Sequence, residues 1–275
     1  MKTWLFVPGH NAHMLEKALD SEADVVIVDW EDAVPPTKKE EARVVVRETL
    51  TKFSSRPRLV LRINGIQTLH YARDLAALEG LPITGIMLPK VSTSEEVQDP
   101  ARLGLPLIPT LESALGVENA FQIAMAHPLV ERLALGSMDL IADMGAQWRT
   151  DGECIQYPRM RMLMAGRAAS LKGSLDGVYP RLGDLEGLRQ ESITALRMGY
   201  EGKLIIHPEQ IDIVRDVFTP TPEEVIEARE TIDAFDKALA EGKSAIRIGE
   251  RFIDPPMVLW AKNVLRRTDE KFNGG

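Results

Sequence analysis

Apolar runs of five or six residues recur along the chain, separated by longer stretches with helical spacing. The runs are TWLFV (3–7), DVVIVD (24–29), RLVLRI (58–63), TGIMLP (84–89), LPLIPT (105–110), RLALG (132–136), SLDGVY (174–179) and KLIIH (203–207). Continuous apolar runs of this length mark strands covered on both faces, as in a buried parallel sheet. The seventh is the weakest, because Asp176 interrupts it. Helical spacing covers 11–20, 38–52, 66–79, 112–127, 155–172, 184–198 and 208–217, with a shorter segment at 92–98 and an extra turn at 137–147. Eight strands alternating with helices through short connections predict a (β/α)8 TIM barrel. An open doubly wound sheet is the rival, but VPGHNAHM after the first run lacks the GxGxxG pattern usual there.

The alternation is complete near Phe218, and a further segment follows. Thr221 reads as an N-cap, Pro222 as the first helical residue and Glu224 as the partner in a capping box. Val225, Ala228, Ile232, Phe235 and Leu239 then form one apolar stripe. EGKSAIRIGERFIDPP, with two glycines and a double proline, reads as a mobile hairpin or lid. A last short helix is expected at 257–267, and 273–275 are expected to fray. The predicted organisation is a barrel over 1–220 and a helix-and-lid extension over 221–275.

Composition fits that outline. A chain of 275 residues, 44% hydrophobic, holds one large core, and a TIM barrel typically takes about 250 residues. The net charge is −8, and Lys/Arg pairs such as Arg266-Arg267 stay isolated, which argues against a nucleic-acid partner. No apolar stretch approaches the roughly 18 residues of a membrane span. The apolar run before Pro8-Gly9 is too short for a signal-peptide core. Cys154 is the only cysteine, so no intrachain disulfide can form, which suits a reducing compartment. A soluble cytoplasmic protein is expected.

In a barrel enzyme the chemistry sits at the carboxyl ends of the strands. Those ends carry Glu31 and Asp32, Arg62 and Asn64, Lys90, Glu112, Asp139, Asp176 and His207. Glu112 and Asp139 come from adjacent strands, and two carboxylates with water and substrate oxygens are the usual way to hold Mg²⁺. Each also has a plain reading, Glu112 as a first-turn helix acid and Asp139 as the cap of SMDLIADMG. Arg62 suits a carboxylate or oxyanion, or a structural pairing with Glu31 or Asp32. Lys90 could form a Schiff base, but the acids around it keep it protonated, which favours an electrostatic role. His207, before Pro208, reads as structural, and Cys154 as inert.

LFVPG, DVVIVDWEDAV, LRIN, MLPK, PTLESALG, LGSMDLIADMG and GKLIIHPEQI occur in this order, with FIDPP near the end. Together they resemble the citrate lyase β-subunit-like branch of the HpcH/HpaI aldolase superfamily over about residues 3–265. The resemblance implies a TIM barrel and a Mg²⁺ ion held by Glu112 and Asp139. It implies that Arg62 binds the reacting oxygens and that Glu31 and Asp32 form the substrate-binding shell around them. Asp29, deeper on the same side, is then structural. Asp254 matches an aspartate that reaches a neighbouring subunit's active site in related lyases, which implies a trimer or hexamer. Trp30, where relatives usually have leucine, stands to narrow the pocket. The implied chemistry is reversible Claisen-type cleavage of a carboxylated 3-hydroxyacyl-CoA, such as malyl-, citramalyl- or citryl-CoA, to a keto acid and an acyl-CoA. Thioester hydrolysis, a CoA-free aldol reaction, a carrier-bound citryl thioester and a non-catalytic scaffold are the alternatives.

Overall fold

The computed structural model describes residues 1–52, 58–249 and 251–269. The chain divides into two compact units, Met1–Arg215 and Asp216–Gly275.

The first unit is a closed barrel of eight parallel strands in sequence order. They are β1 (Thr3–Pro8), β2 (Val25–Asp29), β3 (Arg58–Arg62), β4 (Gly85–Leu88), β5 (Leu107–Leu111), β6 (Leu133–Leu135), β7 (Ser174–Asp176) and β8 (Gly202–Ile205). Parallel pairing of β8 with β1 closes the ring. One or two side chains from every strand meet inside it: Trp4, Val25, Ile27, Val60, Met87, Ile108, Ala134, Leu175 and Leu204. The alternate residues Val26, Val28, Leu59, Leu61 and Ile86 are buried as well. Both faces of each strand are covered, which is why the strands read as unbroken apolar runs.

The surrounding helices are α1 (Ala12–Leu19), α2 (Lys39–Lys52), α3 (Tyr71–Ala77), α4 (Gln98–Ala101), α5 (Ala114–Glu118), α6 (Ala120–Ala124), α7 (Ser137–Asp143), α8 (Gln156–Ala168), α9 (Leu185–Met198) and α10 (Gln210–Phe218). Three depart from the expected spans. The short segment expected at 92–98 is a 3₁₀ turn over Glu95–Val97 that runs into α4. The predicted helix 66–79 begins only at Tyr71, because residues 66–70 form turns, with Thr68 donating to the Gly65 carbonyl. The predicted helix 112–127 is two short helices meeting at Asn119. Ser113 caps the first by accepting from the Gly116 N–H, which leaves Glu112 outside the helix, directly after β5.

The second unit holds α11 (Pro222–Ala240), the antiparallel hairpin β9 (Ile246–Ile248) and β10 (Arg251–Ile253), and α12 (Pro255–Asp269). Thr221 and Glu224 form the capping box. Ala228, Ala261 and Val264 make one small core, and Phe235, Ile253 and Val258 another. The buried face of α11 runs through Ala228, Thr231, Phe235 and Ala238, while Leu239, expected on the stripe, is 57% exposed. The segment expected as a lid is the β9–β10 hairpin, tied to α11 by an Arg251–Glu227 ion pair. The expected fraying of 273–275 lies outside the described residues.

Candidate active site at the carboxyl end of the barrel

Asp29 and Arg62 end neighbouring strands in register, so their side chains share a face. Arg62 donates Nε to Asp29 Oδ1 at 2.8 Å and Nη2 to Asp29 Oδ2 at 2.6 Å, a bidentate clamp. Asp29 is fully buried and also accepts from the N–H groups of Glu31 and Ala33, which saturates it. The third guanidinium nitrogen, Nη1, lies 3.3 Å from Glu31 Oε2. Arg62 is thus fixed in position and permanently charged. Burial disfavours that charge, but Asp29 and Glu31 outweigh it and hold the guanidinium pKa above its ordinary value.

Glu31 binds Lys90 Nζ through its other oxygen at 2.6 Å. Burial raises the Glu31 pKa, against the opposing pull of Arg62 and Lys90. Asp32 is exposed and meets Lys90 at 3.1 Å, so its close partner is Lys90 rather than Arg62. Burial works against Asp32 ionising, but hydrogen bonds with Glu31 and Lys90 prevail and hold its carboxyl below the usual range. Burial would likewise lower the Lys90 pKa, yet Glu31 and Asp32 raise it above the ordinary value. Lys90 is therefore a fixed cation, which removes the Schiff-base role. Its backbone has φ 55°, a conformation that costs a non-glycine residue energy and is concentrated at functional sites.

Glu112 directly follows β5 and is 4% exposed. Neither of its carboxylate oxygens has a hydrogen-bond partner among the described residues. Burial pushes its pKa up to about 8; Asp139 and Glu31 add to the rise, while Arg62 opposes it. A buried carboxylate with no partner is costly and marks a place where a cation fits. Gly136 makes room for it, since a Cβ there would lie 2.1 Å from Glu112 Cγ. Asp139, exposed in the first turn of α7, is the second acid of the pair. The Ala114 N–H donates to Asp143 Oδ2 at 2.7 Å, which ties the loop carrying Glu112 to the helix carrying Asp139. Among the described residues no group of three or more His, Cys, Asp or Glu is arranged as a metal cluster. Two carboxylates facing an open mouth still fit Mg²⁺, which keeps water and substrate oxygens for its remaining positions.

The other strand-end residues do different work. Asn64 donates to the Trp30 carbonyl and to Asp74, and Asp74 also accepts from Arg43, so Asn64 is scaffold. Lys39, not singled out by the sequence, donates to the Trp30 and Glu31 carbonyls at 2.7 Å and shapes the acid loop. Trp30 is 1% exposed and forms no part of an open pocket wall. Asp176 is buried in a quartet. It accepts from Arg159 at 2.8 and 3.1 Å and from Lys203 at 2.6 Å, and Lys203 also reaches Glu191 at 2.6 Å. His207 is half-exposed, with Nδ1 accepting from the Glu209 N–H. Cys154 has only a weak contact to the Gln147 carbonyl. Asp254 lies in the second unit, where its carboxylate accepts from the Met257 N–H at the start of α12.

Comparison with known proteins follows the same line. The family model for HpcH/HpaI aldolase/citrate lyase matches residues 2–208. Citrate lyase subunit beta of Leuconostoc mesenteroides subsp. cremoris is 35% identical over 279 residues, covering 96% of this chain and 92% of that protein. A (3S)-malyl-CoA thioesterase of Cereibacter sphaeroides is 35% identical over 269 residues, covering 96% and 93%. The crystal structure of CitE from Mycobacterium tuberculosis in complex with magnesium, acetoacetate and coenzyme A superposes with a TM-score of 0.85 at 34% identity, covering 97% of each chain.

Proposed function

The chain belongs to the HpcH/HpaI aldolase/citrate lyase family, and from that premise we propose a Mg²⁺-dependent carbon–carbon lyase that reversibly cleaves a carboxylated 3-hydroxyacyl-CoA. Malyl-, citramalyl- and citryl-CoA are the candidate substrates. The observation that carries the reading is Glu112, a buried carboxylate with both oxygens unpaired among the described residues, beside Asp139 and the clamped Arg62. Glu112 and Asp139 would hold the metal. Bound there, Mg²⁺ supplies Lewis-acid polarisation of substrate oxygens.

The protein groups supply the rest. The substrate hydroxyl gives up its proton to solvent and becomes the carbonyl of the keto acid, and the breaking Cα–Cβ bond moves its electron pair into the thioester, whose oxygen becomes an enolate. The Arg62 guanidinium, already oriented by Asp29 and Glu31, stabilises that charge without having to reorganise. Glu31 and Asp32 complete the substrate-binding shell, and Lys90 helps keep Glu31 ionised against its burial. Asp254, from a neighbouring subunit, protonates the enolate carbon, and in the condensation direction it takes the proton from the acetyl group. Supporting this arrangement, the second unit exposes Phe252 by 63% and Leu259 by 62%, apolar side chains suited to a subunit contact. A trimer or hexamer in the cytoplasm, with 1–220 as catalytic domain and 221–275 as the extension, completes the proposal. No helix among the described residues is long and apolar enough to cross a membrane.

The relatives carry two activities in their names at equal identity, citrate lyase subunit and malyl-CoA thioesterase. Products separate them. Incubation with malyl-CoA and Mg²⁺ should yield acetyl-CoA and glyoxylate, identified by mass. Free malate and CoA would assign thioester hydrolysis instead. Turnover only with an acyl-carrier protein would assign the carrier-bound lyase.

A further inference from the structure

A cavity of about 200 Å³ lies between the ends of β3 and β4 and helices α3 and α4. Ile63, Ile66, Tyr71, Leu88, Val91 and Pro100 form its walls. Glu31 and Lys90 line it too, so it shares a wall with the charged cluster. Arg62, Glu112, Asp139 and Asp254 are not among its lining residues, and the cleavage chemistry proposed above leaves this space unused.

Its lining dictates what it can take. The one lysine, Lys90, already binds Glu31 and Asp32, and the Glu96 carboxylate already accepts from the Ser92 and Thr93 N–H groups. An anion would meet two carboxylates and find no cation without a partner. An uncharged alkyl chain meets mostly apolar wall. A cavity of ~150 Å³ suffices for benzene, so this one takes a chain of about four to six carbons.

We propose that this cavity is a specificity subsite for an alkyl side chain on the 2-oxo acid partner, so that straight-chain 2-oxo acids are accepted beside glyoxylate and pyruvate, the partners of malyl- and citramalyl-CoA, and bind more tightly than they do. The proposal rests on the lyase reading for the identity of the acid, but its test does not depend on turnover. Gly65 lines the cavity, and a Cβ added there would meet no heavy atom within 4 Å. Gly65→Phe and the smaller Gly65→Leu therefore add a side chain at the cavity wall without a collision at its Cβ.

Pyruvate and 2-oxohexanoate are titrated calorimetrically into Mg²⁺-saturated wild type and both variants, with melting curves as a check on folding. Each buried methylene is worth about fourfold in affinity, and 2-oxohexanoate is three methylenes longer. The expected result is at least tenfold tighter binding of 2-oxohexanoate to wild type, lost in Gly65→Phe, reduced in Gly65→Leu, with pyruvate affinity unchanged. Equal affinities in wild type, absence of binding by either acid, or a preference that survives Gly65→Phe would overturn the subsite. So would a variant effect confined to the KM for acetyl-CoA, which would assign the cavity to the thioester arm. The preference without any condensation of acetyl-CoA would leave the subsite standing and remove the lyase reading.

Discussion

Two clusters of opposed charges each include a residue that ends a barrel strand, Asp176 in one and Asp29 in the other, and they are built to opposite ends. On the β7–β8 side, Arg159 and Lys203 meet Asp176 and Glu191, two cations against two carboxylates, every one buried. On the β2–β6 side, Arg62 and Lys90 serve Asp29, Glu31 and Asp32, and Glu112 is left with both oxygens unpaired among the described residues. The first cluster is balanced and closed, so it cements strand ends to the helices α8 and α9. The second carries an excess of acid and faces an open mouth, so it has capacity for a cation. Strand-end polarity in a barrel is therefore not in itself a sign of catalysis.

The largest effect should come from emptying the open cluster. Glu112→Ala with Asp139→Ala should lower condensation of acetyl-CoA with a 2-oxo acid by at least ~10⁴-fold, about 5 kcal/mol of barrier, while the melting temperature of the metal-free protein holds or rises. Retained thioester cleavage would break the contrast. Opening the closed cluster should do the reverse. Asp176→Asn leaves two buried cations short of a partner and should cost about 3–5 kcal/mol of stability in denaturant titration, with little loss of kcat in the folded fraction. Arg62→Lys keeps the charge but loses the bidentate clamp; a drop of about 10²–10³-fold in kcat is expected.

The smallest effect is a pH slope, and it separates the clusters by sign. The Glu112 pKa is raised to about 8 from 4.5, so the stability its neutral form contributes to the metal-free protein is complete below 4.5 and lost as pH climbs to about 8. Asp176 is the opposite case. Burial alone would raise its pKa, but Lys203 and Arg159 hold it below the ordinary value, so its contribution is present at neutral pH and lost in acid. Mg²⁺ must compete with the proton on Glu112. Its affinity should therefore rise by about tenfold per pH unit, ~1.4 kcal/mol, up to pH 8 and flatten above it. Calorimetric titrations from pH 6 to 9 check this.

The barrel was legible because both faces of its strands are apolar, a pattern that survives in the three-residue β6 (LAL) and fails in β7, where Ser174 and Asp176 flank Leu175. The helix starting late at Tyr71 and the break at Asn119 were not, since both depend on turns and caps that interrupt helical spacing without disturbing it. At the mouth, Glu31, Asp32, Arg62, Lys90, Glu112 and Asp139 stood out by falling after strands. Asp29 was recognised as lying deeper, but its bidentate hold on Arg62 follows from β2–β3 register, which a linear chain does not display. The quartet was hidden for the same reason. Lys203 and Arg159 lie in an apolar run and a helix, 44 residues apart in sequence, and only the β7–β8 pairing and the packing of α8 on β7 bring them to Asp176. Gly136 gave no signal at all, because its role is the space it leaves for Glu112.

One titration bears most directly on the central claim, that the unpaired Glu112 carboxylate is the cation-binding centre of the mouth. Mg²⁺ is titrated into wild type and Glu112→Gln at pH 8, with heat read calorimetrically. The account predicts one saturable site in wild type and no binding to Glu112→Gln, whose metal-free form melts at the same temperature as wild type or higher. Undiminished Mg²⁺ binding by a folded Glu112→Gln would contradict it.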